Sequence, residues 1–93
     1  MSTREVKIGQ LVKSRAGRDK DKLYLILKWD HEYVYVVDGN IRRLQNPKKK
    51  NVRHLWYSEK VASTIKTKLE EGLKLTNADI REALQDLEGK LTE

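Results

Sequence analysis

The hydrophobic period changes once along this 93-residue chain, near Tyr57, and that change limits the fold more than any motif. Up to Tyr57 the apolar residues alternate or come in short runs: Val6 and Ile8, Leu11-Val12, "LYLILKW" and "YVYVV". Such runs, bounded by turn formers, predict strands. Asp30-His31-Glu32 separates two of them, Asp38-Gly39-Asn40 predicts a hairpin turn, and Asn46-Pro47, with the only proline, predicts another. A last short strand is expected over Val52 to Trp56. Beyond Tyr57 the spacing is helical: Val61, Ile65 and Leu69 form one stripe, Ser58 is the expected N-cap, and Gly72 is placed to end the helix in a left-handed cap. A second helix opens at Thr76 or Asn77, with Asp79 near the positive end of its dipole and Ile80, Ala83, Leu84, Leu87 and Leu91 on one face.

About five short antiparallel strands in so few residues predict a small SH3-like β-barrel over residues 1–57, followed by a helical extension over 58–93. The fold class is thus mainly β with two C-terminal α-helices. A chain this long buries roughly 60–68% of its unfolded surface, enough for a core without staples. Both faces of "LYLILKW" are apolar, with Leu23, Leu25, Leu27 and Trp29 on one side and Tyr24 and Ile26 on the other. Trp29 is assigned to packing. The outer face needs a cover, for which the amphipathic helices are the nearest candidates and a partner or second copy the alternative.

Composition removes several classes of function. Without cysteine the chain has neither disulfides nor thiolate metal sites. Its two histidines, His31 and His54, have no carboxylate at metal-ligand spacing and no serine or carboxylate in a nucleophile–base arrangement, so no metal, cofactor or catalysis is expected. The opening "MSTREVKIGQ" is polar and no apolar run nears the ~20 residues of a membrane span, so a soluble, cytoplasmic protein with no membrane partner is expected. The net charge of +6 is unevenly placed: Met1 to Lys60 holds fifteen basic residues against seven acidic, whereas Val61 to Glu93 holds five against seven. The basic character belongs to the β region.

Two basic clusters stand out. The first is the loop "KSRAGRDKDK", where Gly17 can take the positive φ of a tight loop and Lys13, Arg15, Arg18, Lys20 and Lys22 surround backbone that phosphate oxygens can approach. The competing reading is a solvated loop whose cations pair with Asp19 and Asp21. The second cluster comprises Arg42 and Arg43, on opposite faces of an expected strand, and Lys48, Lys49, Lys50, Arg53 and His54 around the Asn46-Pro47 turn. Its plainer reading is a lysine-rich turn that deters edge pairing. Stacking on unpaired bases is open to Tyr24, Tyr33, Tyr35, Trp56 and Tyr57, although aromatics at strand spacing more often pack in cores.

The stretch "IGQLVKSRAGRDKDKLYLILKW" resembles a KOW motif, with Gly9, Val12 and Gly17 at the motif's positions ahead of the apolar run Leu23 to Leu27. The continuation "VYVVDGNIRRLQNPKKKNVRHL" is similar to the small bacterial KOW-domain RNA-binding proteins, themselves similar to KOW-containing ribosomal proteins of archaea and eukaryotes. The likeness covers about Ile8 to Leu55 and does not extend to the helical tail. It implies an SH3-like barrel that binds structured RNA, often rRNA within or beside the ribosome, without catalysis. Two other readings stay open: a protein-interaction adaptor using an aromatic surface, and a transcription-associated nucleic-acid-binding module. The helical tail is a further candidate surface for a protein partner.

Overall fold

The computed structural model describes residues 6–91, with the side chains of 6–90. The polar opening at 1–5 and the side chain of Leu91, expected on the second helix's apolar face, lie outside the described residues. Five strands come in chain order as β1 (Gln10–Ser14), β2 (Leu23–Asp30), β3 (Tyr33–Val37), β4 (Lys48–Asn51) and β5 (Leu55–Val61). A 3-10 turn, Val52–His54, joins β4 to β5, and two helices follow, α1 (Ser63–Glu70) and α2 (Asn77–Leu91).

The strands form one antiparallel sheet in the order β4-β3-β2-β1-β5. It is not closed into the barrel expected from the sequence. Closure would need β4 to pair with β5, but β4 is short and passes directly into the 3-10 turn, where the Asn51 side chain accepts a hydrogen bond from the Arg53 N–H. The chain then crosses to the far edge, where β5 pairs with β1 through Ser14↔Leu55 and Lys13↔Trp56.

The sheet nevertheless curls. Lys50 on edge strand β4 brings its Nζ to 2.9 Å from Ser14 Oγ on β1, although two strands separate them in the sheet. Inside the curl Val12, Tyr24, Ile26, Val34, Val36 and Leu55 form one core. On the outer face Leu11, Leu25 and Val37 pack with Ala62, Ile65, Ile80 and Leu87 in a second. The helices therefore cover the outer face, as the two-sided apolar pattern of β2 requires. Each fully buried side chain of this size contributes roughly 1.5–3 kcal/mol.

Local differences from the sequence expectation have physical causes. The β2–β3 register shifts between Ile26 and Lys28, so Leu27 is an inserted residue and the alternation breaks there. Trp29, expected to pack, is consequently 45% exposed. Ser58 is not a helix cap: β5 continues through Val61, and the Ser58 hydroxyl donates to the Leu11 carbonyl at 2.7 Å. Of the stripe Val61-Ile65-Leu69, only Ile65 is buried. Asp38-Gly39-Asn40 does not close a tight hairpin. The Asp38 carboxylate instead accepts the N–H groups of Asn40 (2.9 Å) and Arg42 (2.8 Å), and the chain makes a longer excursion before β4.

The helix ends follow the sequence more closely. Gly72 has φ +68° and the Leu73 N–H reaches the Lys68 carbonyl at 2.9 Å, a left-handed C-terminal cap. Thr76 and Asp79 exchange side-chain-to-backbone bonds at 3.1 and 3.0 Å, a capping box at the start of α2.

Candidate functional site

The β1–β2 loop is organised around one carboxylate. Asp19 Oδ2 accepts a hydrogen bond from the Tyr24 hydroxyl at 2.8 Å and lies 3.1 Å from Lys48 Nζ. Its Oδ1 is 2.9 Å from Ser14 Oγ and 3.1 Å from Lys50 Nζ. Lys50 Nζ also donates to Ser14 Oγ and to the Ala16 carbonyl, at 2.9 and 3.2 Å. Burial alone would push the Asp19 carboxyl up. The donors Tyr24, Ser14, Lys48 and Lys50 outweigh it and hold the group far below the usual carboxylate range. Tyr24 moves the other way: its burial and its bond to the Asp19 carboxylate push the phenol well above its ordinary value.

Backbone bonds complete the frame. The Asp21 N–H reaches the Ser14 carbonyl at 2.7 Å, Lys22 reaches Asp19 at 2.9 Å, and Arg15 reaches His54 of the 3-10 turn at 2.9 Å. Gly17 has φ +87° at the tip, as the loop's sequence requires.

Because Asp19 is saturated by the lysines of β4, the loop's own cations stay outside. Arg15, Arg18 and Lys20 are exposed, as are Lys13 on β1 and Arg53 and His54 beside them. The guanidinium of Arg15 stacks over Trp56 with Cζ 4.1 Å from the ring centroid, and Trp56 itself is 54% exposed. Lys13 stands opposite Trp56 in the β1–β5 ladder. Next to this pair Leu11, Lys13, Leu23, Trp56 and Tyr57 line a small, largely apolar recess of about 180 Å³.

The remaining candidate residues are placed elsewhere. Lys22 pairs with Asp38 at 2.7 Å. The run Lys48-Lys49-Lys50 is split by strand alternation: Lys48 and Lys50 turn inward to Asp19, whereas Lys49 points to the outer face with its Nζ 4.3 Å from the Tyr33 ring centroid. Lys28 sits similarly over Tyr35 at 5.6 Å. Arg42 and Arg43 lie in the β3–β4 connection rather than on opposite faces of a strand, and Arg43 Nε donates to the Asn40 carbonyl at 3.0 Å. The two basic clusters meet through Asp19, which takes Lys48 and Lys50, and through the Arg15 N–H bond to the His54 carbonyl, which sets the exposed Arg53 and His54 next to the loop, whereas Lys49, Arg42 and Arg43 lie apart. His31 occupies the β2–β3 hairpin at φ +47°, its ring 5.6 Å from Trp29.

Two residues matter more than sequence reasoning predicts. Asp19 looks like a counter-ion diluting a basic loop, and only the curl that brings β4 over the loop makes it the loop's support. Trp56 is one of five aromatics that the sequence offers for stacking, and only its 54% exposure and the Arg15 guanidinium over its ring single it out. Among the described residues no group of three or more His, Asp or Glu side chains comes together that could hold a metal ion, and no helix is long and apolar enough to cross a membrane. Compared with protein-family models and with curated proteins, the chain matches none.

Proposed function

We propose that this protein is a non-enzymatic RNA-binding module that grips the phosphates of structured RNA, rRNA or a ribosomal particle in the first instance, through the β1–β2 loop and the adjoining 3-10 turn. The supporting observation is that an inward-facing anionic hub holds the loop while Arg15, Arg18 and Lys20 project from it and no ion pair joins them to another described side chain. A pre-shaped cationic tip loses little freedom on binding, which favours it over a mobile lysine-rich tail of equal charge. We read the curled, open sheet as a relative of the SH3-like KOW barrel: β1 pairs with the last strand, β2-β3-β4 form a meander, and the inner core is closed over by Lys50. Cytoplasmic placement belongs to the same reading.

Phosphate contact is independent of sequence, so removing it should weaken binding to all RNAs alike. The double variant Arg15→Glu, Arg18→Glu is expected to keep the wild-type circular dichroism spectrum, because neither side chain packs in a core. Its binding to structured RNA should weaken throughout, with the log–log salt slope reduced by about 2. Electrophoretic mobility shift at several salt concentrations measures both quantities. Unchanged affinity in the folded double variant would refute the assignment.

A further inference from the structure

A loop that only gripped phosphate would have no use for an exposed tryptophan beside it. Trp56 lies on edge strand β5, 54% exposed, with Arg15 stacked on its ring and Lys13 as its cross-strand neighbour. Arg15 does not line the apolar recess that Trp56 shares with Leu11, Leu23 and Tyr57, so the recess stays open while the guanidinium is in place. At about 180 Å³ it is smaller than the ~300 Å³ at which ligand pockets begin, and suits one planar ring system rather than a drug-sized molecule.

We infer that Trp56 and this recess form a nucleobase site, which receives one unpaired base of an RNA whose adjoining phosphates lie on Lys13, Arg15 and Arg18. The inference rests on the RNA-binding reading and narrows it: the preferred ligand is an interrupted helix, with a bulged or looped-out nucleotide, rather than a continuous duplex. Three features converge on this ligand. An indole offers a stacking face to any base without regard to sequence. The Arg15 guanidinium lies over one face of the ring and brings beside it the charge that pairs with the nucleotide's own phosphate. A base inside an A-form helix is held in its stack and faces a groove that side chains cannot enter, so only an unpaired base can reach the site. A neutral or basic peptide is disfavoured by Lys13 and Arg15 at the mouth, and an acidic one would need an aromatic side chain held beside its carboxylates, a pairing of ring and anion that every nucleotide already carries.

The test uses the full chain carrying Trp29→Phe, which leaves Trp56 as the single tryptophan. Three blunt two-stranded RNA duplexes serve as probes, one fully paired, one with a single bulged adenosine and one in which the bulged nucleotide is abasic. The bulged RNA should quench Trp56 fluorescence and bind roughly tenfold more tightly than the other two. Trp56→Ala should remove that preference while leaving the salt slope unchanged, and Trp56→Phe should retain most of it. Equal, salt-sensitive binding of all three RNAs without quenching would overturn the nucleobase site and leave phosphate gripping standing. Failure of every RNA to bind at 50 mM salt would overturn both.

Discussion

Replacing Asp19 by asparagine is expected to lower the free energy of unfolding by about 3 kcal/mol, because it leaves a buried ammonium without its counter-charge. Lys50 is 7% exposed, and its Nζ would keep only neutral acceptors, the Ser14 hydroxyl, the Ala16 carbonyl and the new amide oxygen. Lys48 would face it with no anion between them. Urea titration should show the midpoint falling with little change in slope, as expected when stability alone is altered. Adding Lys50→Met to Asp19→Asn should recover part of the loss, since it removes the unpaired buried charge, whereas Lys50→Met alone takes from Asp19 the more buried of its two lysines, leaving Lys48, and should destabilise by less than Asp19→Asn. The wild type's dependence on acid follows from the same group. Its carboxyl is held below its unfolded value of about 3.9, so the stabilisation is complete above that pH and fades as pH falls further. The gap between wild type and Asp19→Asn should therefore be constant from about pH 5 to 7 and narrow below about pH 4. A gap that stayed constant down to pH 2 would show that the carboxylate is not the source.

The second large effect is expected at Gly39, where a methyl group has nowhere to go. Its φ is +77°, and a Cβ there would lie 2.6 Å from the Asn77 carbonyl oxygen and 2.9 Å from Arg81 Cγ. The first of these is backbone at the start of α2 and cannot rotate aside. Relief requires α2 to move, which would pull on the Arg81 Nη1 bond to the Gly39 carbonyl (2.7 Å) and on the Leu44 N–H bond to Asn77 Oδ1 (2.8 Å). Gly39→Ala should cost roughly 3 kcal/mol, of which ~1–2 is the left-handed backbone and the rest overpacking. Gly17→Ala provides the control, since its φ is also positive but the nearest atom stands 3.6 Å away. It should cost only the backbone share, about 1 kcal/mol. Thermal unfolding of both variants compares them directly, and equal losses would contradict the close approach of α2 to the β3–β4 connection.

These two positions also mark where the sequence is legible and where it is not. Period reveals that strands precede helices, and two-sided apolarity in β2 reveals that something must cover the sheet, because both are local patterns set by burial. Gly17 and Gly72 can be read for the same reason, as backbone requirements of a loop and a helix end. What could not be read depends on contacts between distant segments. The role of Asp19 needs β4 to curl over the β1–β2 loop, and the division of Lys48-Lys49-Lys50 needs a register that only the β3 pairing sets. Trp29 departs from the alternation of Leu23, Leu25 and Leu27 because one inserted residue reverses every later side chain on its strand. Ser58 looked like a cap because a serine ahead of a four-residue apolar spacing is also compatible with an edge strand whose outer positions are polar.

Under the proposed function, exposed cations held on the Asp19-centred frame grip RNA by its phosphates. The most direct test is the affinity of the purified full chain for a structured rRNA fragment between 50 and 200 mM salt. Lys13, Arg15, Arg18, Lys20 and Arg53 are the exposed cations of the β1–β2 loop, the end of β1 and the 3-10 turn. If each meets one phosphate, the slope of log affinity against log salt should be about −3.5 to −4.5, a loss of at least a hundredfold over that range. Absence of binding at 50 mM salt, or a slope near zero, would contradict the account.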